Sequence, residues 1–324
     1  MKLQYTGAIL AAGRGTRIAP FSENWPKPLL PVCNQPLIEH QIEIMKQVGI
    51  TDIVILVGHK GYEIARRLGD GRQLGVNLRY AEQTSSLGIA HATGRLEAHI
   101  KTPFLMFLGD IFFITENIEN MFTQFEEQGG GAVLATKHER DPDAIRKNYA
   151  LRLNDDGFVT RVIEKPRHLV NTLKGVGLYL FDLSIFDAIR RTPRTAMRDE
   201  YEITDAIQVL IQDGYPVRPS NSVVDDINLT TASDLLFCNV MMARQGGRAN
   251  LIGNGVQLHE GAKLNSCVVG NNASVLNPIS ITESVIFEGT KVDSVTGFHR
   301  YILTPEFKVD CDQGLSADQR SSLQ

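Results

Sequence analysis

Residues 5–32 read "YTGAILAAGRGTRIAPFSENWPKPLLPV". The opening "YTGAIL" is a short apolar run, which reads as a strand buried in a sheet. It passes directly into a loop holding Gly13 and Gly15, with Arg14 and Arg17 around them and Lys27 further on, between Pro26 and Pro28. A glycine loop that follows a first strand turns backbone N–H groups toward an anion. "GRGTR" has neither the GxGxxG spacing of a dinucleotide fold nor the GK[ST] ending of a P-loop. The prolines restrict the backbone on both sides of Lys27 and leave its side chain to project. Arg17 or Lys27 alone would read as a solvated surface charge; together, beside the glycines, they point to a polyphosphate.

Outward from this stretch, strands and helices alternate. "TDIVILVG", "VNLRYAE", "FLMFLGD" and "GAVLATK" read as strands, whereas "PLIEHQIEIMKQVG" and "ENIENMFTQFEEQG" carry apolar residues at helical spacing. The alternation predicts an α/β fold, a Rossmann-like mixed and mostly parallel sheet with helices on both faces. Ligands of such sheets sit at the carboxyl ends of the strands, where the glycine loop begins. "ALRLNDDGFVTRVIEKP" reads as two strands about an Asp-Gly turn, and "GVGLYLFD" and "EITDAIQVLIQDG" as a further strand and helix of the same domain.

The chain of 324 residues suits about two domains. Its 43% hydrophobic and 22% charged residues are those of a soluble globular protein. A net charge of -4 supplies no basic field for nucleic acid. No apolar run reaches the roughly 18 residues of a membrane span, and "MKLQYTGAILAAG" lacks the pattern of a signal peptide. Cys33, Cys238, Cys267 and Cys311 lie far apart without zinc spacing, which fits a cytoplasmic setting. The histidines, His59, His91 and His99 among them, show no ligand spacing and read as incidental.

After a helical stretch, "ASDLLFCNVMMAR", the segment "QGGRAN" reads as a linker. Beyond it an apolar residue leads each group of six in "IGNGVQ", "LHEGAK", "LNSCVV" and, after a slip of one residue, "VGNNAS", "VLNPIS", "ITESVI" and "FEGTKV". This is the pattern of a short hexapeptide β-helix, suited to oligomer contacts or allosteric control. The expected organisation is a catalytic domain over 1–240, a linker over 241–250, the β-helix over 251–311 and a polar tail over 312–324.

The stretch from Leu10 to Val32 resembles the LAAGxGTRLxPxTxxxPKPLLPV pattern of the sugar-1-phosphate nucleotidylyltransferases, with Ile18 for Leu and Ser22 for Thr. The resemblance continues through "LGDGRQLGVNLRY", "EQTSSLGIAHA", "FLMFLGD", "VIEKP", "GVGLYLFD" and "YEITDAIQVLIQDGYPV". Within that family the chain is similar to the long glucose-1-phosphate thymidylyltransferases, which carry a C-terminal left-handed β-helix. The resemblance implies that a sugar 1-phosphate attacks the α-phosphorus of a nucleoside triphosphate, dTTP or UTP, and releases pyrophosphate with Mg²⁺. It also implies a homo-oligomer. A rival reading is a catalytically silent regulatory subunit of the same fold, supported by the departures noted below.

The resemblance assigns Leu10, Ala12, Gly13, Gly15, Thr16 and Arg17 to the nucleotide, and Lys27 to the transferred α-phosphate. Asp110, at the end of "FLMFLGD", becomes the principal Mg²⁺ ligand; a single strand-end carboxylate suffices when phosphates and waters complete the shell. The second ligand falls on Asn228, or on Asp226 after a local shift. Gln83 and Gly88 occupy the positions that read a pyrimidine, since a Gln amide both accepts from N3–H and donates to a ring carbonyl. Glu164, Lys165, Tyr149, Val176 and Gly177 are implied at the sugar phosphate. Ile111 stands where the family commonly has Asn and Ala150 where it has Gly, both where sugar hydroxyls would be read. Asp205 is expected to order the helix that follows it.

Overall fold

A computed structural model describes residues 3–168, 171–196 and 198–313. In chain order the strands are β1 (Thr6–Ala11), the hairpin β2 (Pro31–Val32) and β3 (Gln35–Pro36), β4 (Asp52–Val57), β5 (Asn77–Glu82), β6 (Phe104–Leu108) and β7 (Ile111–Thr115). They continue with β8 (Ala132–His138), β9 (Tyr149–Leu153), β10 (Val159–Glu164), β11 (Leu173–Phe181), β12 (Val217–Ser220) and β13 (Val223–Asn228). The chain divides into two compact units. The first holds the chain up to Arg14, then Trp25–Pro28 and Ile38–Asp226. The second holds Gly15–Asn24, Leu29–Leu37 and everything from Ile227 onward.

The first unit is built on a sheet in the order β10-β9-β11-β6-β1-β4-β5, with β8 joined to β11 and β12 to β8. Pairing is parallel across β6, β1, β4 and β5, and between β12 and β8. It is antiparallel where β11 meets β6, β8 and β9, and between β9 and β10. The sheet is therefore mixed, with the parallel part around β1. Buried apolar side chains on both faces of β1, β4 and β6 explain why these segments read as continuous apolar runs. Helices Leu37–Gln47, Glu119–Glu127 and Ile203–Gln212 form where the apolar residues recur at helical spacing.

β1 lies between β4 and β6, so the chain leaves it toward β4 and β5 on one side and returns to β6 on the other. That reversal opens a crevice at the carboxyl ends of β1 and β6.

The second unit contains the helix Ala232–Gln245, opened by a capping box between Thr231 and Asp234. Its last turns occupy residues 241–245, the first half of the expected linker, because no breaker precedes Gly246. The compact units also part at Asp226 rather than near residue 240. Three short parallel sheets follow, stacked coil on coil with the geometry of a β-helix. Leu251 pairs with Val268, Val268 with Val285 and Val285 with Ile302, an advance of 17 residues per coil. One side of each coil is thus a residue shorter than a strict hexad, which accounts for the slip seen in the sequence. Cys267, Val269, Val275, Ile281 and Ile286 fill the interior, and the antiparallel strand Lys308–Asp310 pairs with the last coil. Of the expected tail, only Asp312 and Gln313 lie within the described residues.

Candidate active site

In the first unit the crevice is lined by the ends of β1 and β6. Leu10 and Leu108 pair in register, and the Leu10 carbonyl accepts from the Gly109 N–H at 2.9 Å. Gly109 and Asp110 form the turn between β6 and β7. Lys27, only 6% exposed, donates from Nζ to Asp110 Oδ2 at 3.0 Å. The Asp110 side chain keeps 40% of its surface accessible. A buried cation is thus held against a half-exposed carboxylate, 83 residues apart in sequence. Gly13, exposed at the end of β1, would meet nothing within 4 Å if it bore a Cβ, so packing does not demand glycine there.

The Asp110 turn has a support that sequence reading missed. Gln41, on helix Leu37–Gln47 and 1% exposed, donates through Nε2 to the carbonyls of Leu108 at 2.9 Å and Ile111 at 2.8 Å. One amide therefore clasps the chain on both sides of Asp110. A signal existed: in "LIEHQIEIM" Gln41 occupies the apolar face with Ile38, Ile42 and Met45, and a buried amide needs partners.

Gln83 follows β5, and its N–H bonds the Val57 carbonyl at 2.8 Å. Its side-chain nitrogen lies 2.9 Å from His91 Nδ1. His91, read as incidental, therefore fixes the amide. Burial lowers the His91 pKa, with Arg95 and Arg194 adding to the effect, so the ring is held neutral and Nδ1 accepts from Gln83. Gly88 has φ 103°, and a Cβ there would lie 2.4 Å from the Tyr201 carbonyl oxygen. The glycine thus admits the Tyr201 backbone, which bonds Leu87 and Ala90. The close approach that Gly88 permits within the fold is thus to the protein's own backbone.

Tyr149, Glu164 and Lys165 come together at one end of β9, β10 and β11. Tyr149 pairs with Glu164 on one side and with Gly175 on the other. The Tyr149 ring lies flat over Gly175, where a Cβ would be 1.8 Å from its Cζ. Its hydroxyl is buried and interacts with the Tyr179 side chain, whose ring stacks on its own. Glu164 accepts from Arg198 at 3.2 Å and from Thr204 at 3.3 Å. Lys165 has φ 42°, a strained setting for lysine, and its side chain is 45% exposed. Val176 exposes none of its surface. Ile111 and Ala150 are buried too, and Ile111 Cδ1 would lie 2.8 Å from a Cβ on Gly177. Ile111 thus packs into the space beside Gly177 instead of presenting a polar group. Burial raises the Asp205 pKa, and Asp205 lies in the first turn of helix Ile203–Gln212.

Asp226 does not fit the metal-ligand reading. Its side chain, 5% exposed, accepts from Lys174 at 2.7 and 3.0 Å and lies 3.3 Å from Lys137. Lys137 also bonds Asp225 at 2.6 Å. The Asp226 carboxylate is already neutralised by two lysines. The chemistry that remains, a half-exposed hard oxygen donor at Asp110, fits Mg²⁺ when phosphates and water complete its shell. Among the described residues no cluster of three or more His, Cys, Asp or Glu is arranged to hold a metal.

In the second unit, Gly15 has left-handed φ 63° and ψ 30° and opens a 3-10 turn over Thr16–Ile18. Thr16 and Arg17 are exposed and Ile18 is buried. Asn228, at the end of β13, is exposed.

The nucleotidyl transferase family model matches residues 6–222. The chain is 38% identical over 213 residues to the low-salt glycan biosynthesis nucleotidyltransferase Agl11 of Haloferax volcanii, covering 65% of this chain and 58% of that protein. It is 35% identical over 242 residues to a glucose-1-phosphate thymidylyltransferase of Streptomyces antibioticus, covering 70% and 66%. The chain thus spans under two thirds of the length of these relatives. A crystal structure from Bacillus anthracis, of a protein assigned as a glucose-1-phosphate thymidylyltransferase, superposes with TM-score 0.66 at 28% identity, over 73% of this chain and 94% of that one. The family match takes in β1 to β12, including Lys27, Gln83, Asp110 and Lys165, and the chain belongs to the nucleotidyl transferase family.

Proposed function

We propose that the chain transfers a nucleotidyl group from dTTP or UTP to a sugar 1-phosphate, glucose 1-phosphate or a relative, and releases pyrophosphate. The observation that carries this reading is the Lys27–Asp110 pair at the crevice between β1 and β6. A phosphate oxygen of the sugar forms a bond to the α-phosphorus, and the bond from that phosphorus to the bridging oxygen of the pyrophosphate breaks. The attacking oxygen is already anionic, so no side chain need remove a proton; the protein's work is positioning and charge neutralisation. Gly13, Gly15, Thr16 and Arg17 receive the leaving phosphates, and Lys27 faces the phosphorus under attack. Gln83, held by His91, pairs with the pyrimidine edge. Lys165 binds the sugar phosphate, while Glu164 and the Tyr149 hydroxyl take sugar hydroxyls.

Asp110 would hold Mg²⁺, with phosphate and water oxygens completing its shell, and the ion when bound neutralises phosphate charge. The domain reading is likewise proposed: a transferase domain followed by a β-helix, in a cytoplasmic homo-oligomer. Pyrophosphate release from dTTP or UTP with glucose 1-phosphate tests the reaction. Asp110→Ala should nearly abolish release while its melting curve stays that of the wild type. Equal turnover in the two proteins would remove Asp110 from the mechanism.

A further inference from the structure

The glycine loop is divided between the units: Gly13 and Arg14 belong with the mixed sheet, and Gly15, Thr16 and Arg17 with the β-helix. Within the second unit the loop is anchored by aromatic packing. Phe21, in the short helix Phe21–Asn24, is fully buried. Its ring centroid lies 5.9 Å from that of Phe287 and 5.3 Å, edge to face, from that of Phe307. Both partners belong to the β-helix. Phe287 donates its N–H to Leu303 at 2.8 Å, and Phe307 closes a turn with Thr304 through reciprocal bonds of 2.9 and 3.0 Å. The anchor therefore stands on hydrogen-bonded coils.

A second tether follows Lys27. In the hairpin β2–β3, Cys33 and Asn34 take φ of 51° and 67° at the turn. Asn34 donates through Nδ2 to the Val269 carbonyl at 2.8 Å. Asn239, fully buried, accepts from the Cys33 N–H at 2.8 Å and donates to the Pro31 carbonyl at 2.9 Å. The segments before and after Lys27 are thus both fastened to the β-helix unit.

We propose that the β-helix is a positioning device for the nucleotide: Phe21, Phe287 and Phe307 fix the turn that presents Thr16 and Arg17, and Asn34 and Asn239 fix the hairpin beyond Lys27. This rests on the transferase reading above. Ordering is reciprocal, so nucleotide bound at the loop tightens the coils that hold it.

The test uses the full chain with dTTP and UTP as probes. In the wild type, nucleotide slows hydrogen exchange at the Phe287 and Phe307 amides. Phe307→Ala weakens nucleotide binding about tenfold, measured by calorimetry, and leaves the KM for sugar 1-phosphate unchanged. Asn34→Gly keeps the turn conformation, loses one hydrogen bond, and weakens binding about threefold. Unchanged nucleotide affinity in both variants overturns the inference, as does an equal rise of both KM values with a fall in melting temperature. A wild type that binds neither nucleotide overturns the transferase reading and this inference with it.

Discussion

Replacing Lys27 with methionine separates a catalytic role from a structural one. The Lys27 side chain is 7% exposed, so its stem is packed, and methionine keeps most of that contact. Asp110, 40% exposed, regains water when the ammonium is removed, so the ion pair contributes only about 1 kcal/mol to folding. The effect on the reaction is larger. A fixed cation aimed at the charge that develops on the α-phosphoryl group acts without reorganisation, and losing one such group costs roughly 3–4 kcal/mol, about 100- to 1000-fold in kcat. Lys27→Met should therefore show kcat for pyrophosphate release lower by that factor at saturating substrates, with urea denaturation within about 1 kcal/mol of the wild type. A kcat within about threefold of the wild type would refute the role given to Lys27. A stability loss above about 3 kcal/mol would show instead a buried structural charge.

Lys174→Met removes the nearest partner of Asp226. Breaking such a pair costs about 3–5 kcal/mol, reduced here to about 2–3 kcal/mol by Lys137 at 3.3 Å. Burial raises the Asp226 pKa above its ordinary 3.8 against the opposing pull of Lys174 and Lys137, so protonation is easier than in the unfolded chain, easier still without Lys174, and the stability it contributes is lost as pH rises through the folded pKa. The deficit of Lys174→Met should consequently be smaller near pH 5 than near pH 7.5 in urea melts. Gly175→Ala drives a methyl into the Tyr149 ring; it should destabilise the fold by about 1–3 kcal/mol and raise the KM for sugar 1-phosphate while leaving that for nucleotide alone. For His91, held below its ordinary 6.5, protonation on acidification ends its acceptance from Gln83. The wild type should lose kcat/KM for nucleotide at low pH, whereas His91→Phe, about 3- to 10-fold weaker at neutral pH, should lack that acid limb.

The parts of the fold set by local pattern were readable in advance. β1 and β6 announce themselves as apolar runs, helix Leu37–Gln47 by its period, and the β-helix by its leading apolar residues. The 17-residue coil appeared in the sequence only as a slip, because the shortened side of the coil is defined by pairing between coils. At the site, Lys27 stands out beside the glycine loop and Asp110 through the family resemblance, yet their contact spans 83 positions and has no local mark. Asp226 reads as a ligand in the sequence, whereas the fold sets it against Lys174, 52 residues earlier. His91 reads as incidental because an isolated histidine carries no spacing, and its contact with Gln83 arises where the helix Ile89–Gly94 meets the end of β5. Likewise, nothing in "APFSENW" marks Phe21 as a partner of Phe287 and Phe307, since aromatic packing across the chain leaves no periodic trace.

The most direct measurement is a matrix of dTTP, UTP, CTP, ATP and GTP against a panel of sugar 1-phosphates with Mg²⁺, read by pyrophosphate release and identification of the sugar nucleotide by mass. Turnover confined to dTTP and UTP with at least one sugar 1-phosphate, one pyrophosphate per sugar nucleotide formed, is the predicted result. Absence of any sugar nucleotide across the matrix, or a preference for a purine triphosphate, would contradict it.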